Sequence, residues 1–171
     1  MITFSFLDKN EFPCIAPSLF NILADNMEKI APTGNTRQED YACWYTSVKE
    51  GLQKEQRQMI LIKDDECIVG FFQYFTNADT FRAEEIQFAP DYQGKGLFRP
   101  LCGFVKQNIR QDLAFADAYA NIHNEKSIGI LTKMGLKNTG LNKNGRSYHF
   151  KGNYSGLLEW LDSGSIYEQI S

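Results

Sequence analysis

The sequence lacks the features that mark membrane-spanning, secreted and nucleic-acid-binding proteins. No apolar run approaches the ~18 residues that a membrane span needs, and the N-terminus has no basic segment followed by a long apolar one. The 18 Lys and Arg residues are outnumbered by 21 Asp and Glu, so the net charge is −3. A surface for nucleic acid or for an anionic membrane is therefore not expected. We predict a cytoplasmic protein that binds neither.

Cysteine and histidine are scarce, and their spacing argues against a disulfide framework or a metal site. The four cysteines are widely and irregularly spaced: Cys14, Cys43, Cys67 and Cys102. No CxxC pair occurs, so free reduced thiols are expected. The two histidines, His123 and His149, have no metal-ligand spacing, and we interpret both as structural.

The length and composition are typical of one globular domain. A chain of 171 residues lies within the ~100–200 residues common for a domain, and no repeat or low-complexity linker divides it. We therefore predict a single domain over residues 1–171 with a short helical tail. The stripe of Tyr154, Leu157, Leu158, Trp160 and Leu161 in that tail either closes the core or binds a second subunit of a homodimer.

Hydrophobic periodicity predicts alternating strands and helices. The predicted strands cover residues 2–7, 59–62, 67–75, 80–89, 114–120, 136–142 and 146–151. Five helices are predicted: one after Pro13, one after Thr36, one after Gly96, one over residues 125–134, and one from Tyr154 onward. Thr36 and Glu39 fit a capping box, and Pro100 is tolerable only in the first turn of its helix. That helix is expected to continue through Ile109 and Leu113.

Residues 83–105, AEEIQFAPDYQGKGLFRPLCGFV, join a predicted strand, a glycine-rich loop and a helix start. Glycines allow close approach of the backbone to a ligand, and the first N–H groups of a helix favour an anion. A phosphate site follows, although a plain surface loop is the competing interpretation. The Walker A spacing is absent, and Arg99 occupies the third glycine position of a dinucleotide fingerprint, so both nucleotide motifs fail.

The six residues Gln93, Gly94, Lys95, Gly96, Leu97 and Phe98 resemble the [QR]xxGx[GA] signature of the GNAT superfamily of acetyl-CoA-dependent N-acetyltransferases. Phe98 stands where glycine or alanine is usual. The resemblance implies that this loop binds the coenzyme A pyrophosphate. It also implies a mixed α/β (α+β) fold with a mostly antiparallel central sheet flanked by helices. The backbone amides of Ile86, Gln87 and Phe88 would then polarise the thioester carbonyl.

A second resemblance lies at residues 124–136, NEKSIGILTKMGL, which are similar to the family's Nxx[AS]xxxYxxxGF element. Asn124 and Ser127 fit the pattern, which implies contact with the pantetheine region. Leu131 occupies the position of a tyrosine that often protonates the departing thiolate. Three accounts of this replacement remain: water protonates the thiolate, another residue such as Tyr119 or Tyr148 protonates it, or catalysis is weak.

Glu84 and Glu85 are the candidate catalytic bases, since an acceptor ammonium must lose a proton before it attacks. Ideal strand alternation puts Glu84 with Ile86 and Phe88, and Glu85 with Gln87 on the opposite face. Desolvation on the more apolar face raises the pKa of a carboxyl, which argues for Glu84. A strand bulge would shift the phase, so both glutamates remain candidates, and each is also plausible as a solvated strand residue.

The resemblance implies an N-acetyltransferase that uses acetyl-CoA as co-substrate and acts on a small-molecule amine by direct attack in a ternary complex. No cysteine lies in a motif for an acetyl-enzyme. A noncatalytic acyl-CoA-binding or regulatory domain is the first alternative, motivated by Leu131. Acetylation of a protein or peptide amino group is the second.

Overall fold

The computed structural model describes residues 1–162, which form two compact units. The first unit consists of residues 1–75 and 85–92, and the second of residues 76–84 and 93–162. The end of the predicted tail, residues 163–171, lies outside the described residues. None of the helices in the described part has the length and apolarity needed to cross a membrane.

Within residues 1–162, seven strands form one sheet in the order β1-β2-β3-β4-β5-β7-β6. They are β1 Ile2–Phe6, β2 Arg57–Asp64, β3 Cys67–Thr76, β4 Thr80–Phe88, β5 Phe115–Asn121, β6 Lys137–Leu141 and β7 Ser147–Asn153. The helices are α1 Phe12–Met27, α2 Arg37–Leu52, α3 Phe98–Asn108, α4 Glu125–Lys133 and α5 Tyr154–Asp162. The β4–β5 pair is parallel, whereas β1–β2, β2–β3, β5–β7 and β6–β7 are antiparallel. The predicted mixed, mostly antiparallel sheet flanked by helices is confirmed.

In the first unit, α1 and α2 pack their aromatic side chains against β2 and β3. The rings of Phe12 and Tyr45 stack with centroids 5.5 Å apart, and a core that includes Phe12, Met59 and Phe71 is fully buried. The predicted capping box starts α2, because the Glu39 amide donates to Thr36 Oγ1 and the Thr36 amide donates to Glu39 Oε2.

Gly70 of β3 lets the end of β4 approach closely. A Cβ at this position would lie 2.6 Å from the carbonyl oxygen of Gln87, a contact that real Cβ atoms do not make. The Ala89 amide donates to the Val69 carbonyl at 2.8 Å, which continues the contact past the strand end. The backbone that carries Glu85 and Gln87 is thus held against β3.

In the second unit, the parallel ladder runs from Thr80 opposite Phe115 to Ala83 opposite Ala118. Pro100 lies in the first turn of α3, as required. The helix ends at Asn108, so the prediction that it continues through Ile109 and Leu113 is wrong. Ile109 has extended dihedral angles of φ −95° and ψ 157°. Both residues are nevertheless buried, because the chain after the helix also faces the core.

The apolar stripe of the predicted tail closes the core of the second unit. Tyr154, Leu157, Trp160 and Leu161 of α5 are all buried within the chain. Of the two alternatives, the core interpretation therefore accounts for this stripe.

Candidate active site

The loop over residues 93–98 has a backbone that suits an anion. Gly94 and Gly96 have φ of +71° and +74°, the left-handed conformation that side chains disfavour. A Cβ at either glycine would meet no protein atom within 4 Å, so the space beside the loop is open. The N-cap of α3, Leu97, makes no side-chain capping hydrogen bond. The loop amides and the first turn of α3 together fit a phosphate group.

Phe98 replaces the small residue of the motif without disturbing the loop. Its ring lies edge-on to Trp160 of α5, with centroids 5.9 Å apart. The extra side chain is therefore used in packing within the second unit. The backbone N–H of residue 98 remains part of the first turn of α3.

Asn124 is the N-cap of α4. Its Oδ1 accepts a hydrogen bond from the Ser127 amide at 3.1 Å, so the two predicted residues are in direct contact. At the other end of the helix, Gly135 has φ of +84°, as expected for a C′ glycine. Leu131 is buried on α4 and has no proton to donate.

Glu85 is held by a chain of side-chain hydrogen bonds in the first unit. Gln87 Nε2 donates to Glu85 Oε1 at 2.5 Å, and Gln87 Oε1 accepts from Asn26 Nδ2 of α1 at 2.8 Å. Asn26 Nδ2 also donates to the Phe88 carbonyl at 2.8 Å. Both ends of the Gln87 amide are thus satisfied, and its orientation determines that of the carboxylate.

The burial of the two faces of β4 is the reverse of the sequence expectation. Gln87 has a relative exposure of 8%, whereas Ile86 and Phe88 are only half-buried. The hydrogen bond from Gln87 confirms that Glu85 and Gln87 share a face. The desolvation argument for Glu84 assumed that Ile86 and Phe88 marked the more buried face, and this premise does not hold.

A second polar cluster, which the sequence analysis missed, is centred on Asp117 of β5. Its carboxylate, only 4% exposed, accepts from Arg82 Nε at 2.9 Å and from Arg82 Nη2 at 2.8 Å. His149 Nε2 lies 2.9 Å from Asp117 Oδ2, and His149 Nδ1 lies 3.0 Å from Thr139 Oγ1. Asp117 thus links β4, β5 and β7 within the second unit.

The electrostatics of this cluster follow from its hydrogen bonds. Burial by itself raises the pKa of Asp117, but the hydrogen bonds and charges of Arg82 and His149 outweigh it, so the pKa lies below its ordinary value. The hydrogen bond to Asp117 raises the pKa of Arg82 against the opposing effect of burial. Glu84, two residues along β4, adds a smaller favourable charge interaction with Arg82.

Asp117→Asn is expected to destabilise the fold by about 3 kcal/mol at pH 7, because a partly buried guanidinium loses its counter-charge. A depressed pKa means that Asp117 contributes stability above the unfolded-state pKa of ~3.9 and loses it as the pH falls further. The difference in the free energy of unfolding between wild type and variant should therefore decrease below about pH 4. Urea unfolding at several pH values measures both effects.

The matched control is Asp112→Asn, which breaks a solvent-exposed ion pair with Arg110. It should change the free energy of unfolding little at any pH. Equal decreases in the free energy of unfolding for the two variants would contradict the stabilising role of the Asp117 carboxylate.

A comparison with protein-family models identifies the chain. The sequence model of the Acetyltransferase (GNAT) family matches residues 16–136, which include the glycine loop and α4. The chain belongs to the GNAT acetyltransferase family. A comparison with curated protein sequences gives no significant match.

Solved structures of other GNAT proteins share the fold. An acetyltransferase from Thermus thermophilus superposes with a TM-score of 0.68 at 14% identity, over 90% of this chain and 97% of that one. The PaiA N-acetyltransferase of Thermoplasma acidophilum, in complex with coenzyme A, has a TM-score of 0.68 at 13% identity, over 90% of this chain and 99% of that one. Mutant forms of the spermidine/spermine N-acetyltransferase SpeG of Vibrio cholerae have a TM-score of 0.61 at 16% identity, over 92% of this chain and 96% of that one.

Acetyl-CoA is the acetyl donor of GNAT enzymes, and the residues of this chain fit it. The open cradle beside Gly94 and Gly96 and the uncapped start of α3 suit a pyrophosphate. Lys95 adds a positive charge in a chain that is acidic overall.

The remaining reactive groups are dispersed. Cys14, Cys43 and Cys67 are exposed free thiols, and burial raises the pKa of the fourth, Cys102. Within residues 1–162, no group of three or more His, Cys, Asp or Glu side chains is arranged to hold a metal ion. His123 lies in the turn before α4 and is exposed.

Proposed function

We propose that this GNAT protein transfers the acetyl group of acetyl-CoA to the amino group of a small molecule, by direct attack in a ternary complex. The observation that carries the proposal is the carboxylate of Glu85, held by Gln87 at the end of the strand that precedes the glycine loop. A positioned carboxylate is what proton removal from an acceptor ammonium requires. The small-molecule class is supported by the spermidine N-acetyltransferases among the structural neighbours.

Two sets of residues in the second unit are proposed to bind the donor. Backbone N–H groups of residues 93–98, with the ammonium of Lys95, would bind the pyrophosphate. Asn124 and Ser127 would contact the pantetheine region at the start of α4. When bound, acetyl-CoA supplies an acetyl thioester, whose carbonyl is already activated for attack by an amine.

The end of β4 is proposed to promote the reaction. The amides of Ile86, Gln87 and Phe88 would donate hydrogen bonds to the thioester carbonyl. Glu85 would accept the proton that the acceptor ammonium releases, directly or through one water. The neutral amine nitrogen would then bond to the carbonyl carbon as the carbon–sulfur bond breaks and coenzyme A leaves as the thiolate. The hydrogen bonds from Asn26 to Gln87 and from Gln87 to Glu85 keep the Glu85 carboxylate in a fixed orientation. Glu84 is the less favoured base, because it takes part in the charge cluster of Arg82 and Asp117.

Calorimetric titration of the purified protein with acetyl-CoA, coenzyme A and ATP tests donor binding. Selective binding of the two coenzyme A compounds is expected, because the loop lacks the nucleotide motifs. A thiol-release assay with small amines, amino acids and peptides then tests transfer. Tight acetyl-CoA binding without thiol release from any amine would contradict the proposal and favour the noncatalytic alternative that Leu131 suggests.

A further inference from the structure

The hydrogen-bond chain that ends on Glu85 has a fixed direction from donor to acceptor at each link. It joins the Phe88 carbonyl, Asn26 of α1, Gln87 of β4 and the Glu85 carboxylate. All four residues belong to the first unit. A side-chain amide has a donor nitrogen and an acceptor oxygen, so either end of it can face a given neighbour. One backbone carbonyl decides which end faces which neighbour here.

The direction is set at the Phe88 carbonyl, because a carbonyl oxygen can only accept. Asn26 Nδ2 lies 2.8 Å from this oxygen and 2.8 Å from Gln87 Oε1. The nitrogen of Asn26 must therefore face Phe88, and its two hydrogens serve the two acceptors. Gln87 turns its oxygen to Asn26, which leaves its Nε2 to donate to Glu85 Oε1 at 2.5 Å. A donor is thus presented to the carboxylate.

The backbone carbonyl and the Gln87 amide are both firmly held. The end of β4 lies against Gly70 of β3, where a Cβ would come within 2.6 Å of the Gln87 carbonyl oxygen. Gln87 is 8% exposed, so water has little access to its side-chain amide. Reversal of this amide would place nitrogen against nitrogen at Asn26 and oxygen against oxygen at Glu85. Buried polar groups without partners destabilise a structure, so the observed direction is strongly preferred.

We infer that Asn26 is a positioning residue that sets the direction of the Gln87 amide and so keeps Glu85 able to accept a proton. With Nε2 toward it, the Glu85 carboxylate accepts a hydrogen bond while ionised, the form that can take a proton from the acceptor ammonium. With the amide oxygen toward it, the carboxyl would have to carry a proton to keep this contact, and it would no longer be a base. This inference rests on the proposed function and adds the residue that controls its base.

Two substitutions that keep the branching of the side chain test the direction of the amide. Asn26→Leu removes the donor nitrogen, so the Gln87 amide loses its fixed direction, and kcat should fall about tenfold, the effect of roughly one hydrogen bond. Asn26→Asp offers acceptors, so Gln87 turns its nitrogen to the new side chain and its oxygen to Glu85. The kcat should then fall about 10²-fold, as in Glu85→Gln. KM for the amine should change less than about twofold in both variants.

The matched controls are Asn21→Leu and Asn21→Asp, which make the same changes on the same helix. Asn21 is exposed, and its side chain accepts a hydrogen bond from Arg37 of α2. Both control variants should keep the wild-type kcat. Urea unfolding establishes that each variant is folded. A larger fall in kcat for Asn26→Leu than for Asn26→Asp would overturn the inference, because the reversed amide should be the more harmful change.

A double variant distinguishes action through Glu85 from general damage to the site. In Glu85→Gln the amide at residue 85 can donate or accept, so it tolerates either direction of Gln87. Adding Asn26→Asp should therefore lower kcat by less than about twofold further. Additive decreases in kcat would mean that Asn26 acts by another route, and they would overturn the inference.

Hydrogen exchange of the Gln87 Nε2 protons, followed by NMR, tests the chain without any activity. Exchange should be slow in wild type and in Asn21→Leu, and at least about tenfold faster in Asn26→Leu. Equal exchange rates in wild type and Asn26→Leu would overturn the inference, whatever the kinetics.

The outcomes separate the inference from the function on which it rests. Wild-type kcat in both Asn26 variants, with a low kcat in Glu85→Gln, would overturn the inference and leave the acetyltransferase function standing. Absence of thiol release by the wild-type protein with every amine would remove the proposed function and the catalytic role of Asn26 with it, even where the exchange rates depend on Asn26.

Discussion

Glu85→Gln is expected to lower kcat by about 10²-fold or more, because the amide cannot take the proton of the acceptor ammonium. The substitution keeps the size of the side chain and leaves an acceptor oxygen for the Gln87 Nε2 donor. The affinity for acetyl-CoA should stay near the wild-type value, since Glu85 is not among the residues proposed to bind it. Thiol-release kinetics and calorimetric titration measure the two quantities separately.

Glu84→Gln is the matched control, because it makes the same chemical change one residue away on the same strand. We expect a much smaller decrease in kcat, since Glu84 shares the charge cluster of Arg82 and Asp117. The opposite ranking would make Glu84 the base. Wild-type kcat in both variants would remove the base assignment altogether.

Gly96→Trp is expected to weaken acetyl-CoA binding roughly 100-fold, a loss of ~2.7 kcal/mol. The indole would occupy the open space beside the loop, where no protein atom lies within 4 Å of a Cβ. One or two charge-assisted hydrogen bonds to phosphate would then be lost, each contributing ~1.5–3 kcal/mol. Calorimetric titration of the folded variant measures the change in Kd.

Gly34→Trp controls for backbone strain and bulk. Gly34 has φ of +81° and also has open space around a Cβ. Both variants therefore place a side chain in the left-handed backbone conformation, which destabilises the fold by a similar ~1–2 kcal/mol. Urea unfolding should show comparable destabilisation, while only Gly96→Trp should lose coenzyme A affinity. Equal Kd values for the two variants would exclude the glycine loop as the phosphate site.

Local patterns predicted most of the secondary structure correctly, because capping and turn preferences act over a few residues. The Thr36–Glu39 capping box, Pro100 in the first turn of α3, and the glycine loop before that helix all occur as expected. The error at the end of α3 arose because Ile109 and Leu113 continue the apolar pattern while the chain is no longer helical. Burial alone does not report backbone conformation.

The polar clusters depend on contacts that no local pattern encodes. Arg82 and Asp117 are 35 residues apart in the chain, and they meet because β4 and β5 pair in parallel with this register. Asn26 reaches Gln87 across 61 residues. The favoured role of Glu85 follows from that contact, whereas strand alternation and apolar neighbours had favoured Glu84.

The sequence by itself determined the family, the order of the elements and the loop that suits a phosphate, because short motifs and periodicity report on backbone conformation. Tertiary structure decided which glutamate is oriented by a buried amide and that Arg82 and His149 meet at the carboxylate of Asp117. Side-chain hydrogen bonds act over about 3 Å, so their partners emerge only when strand register and helix packing bring distant residues together.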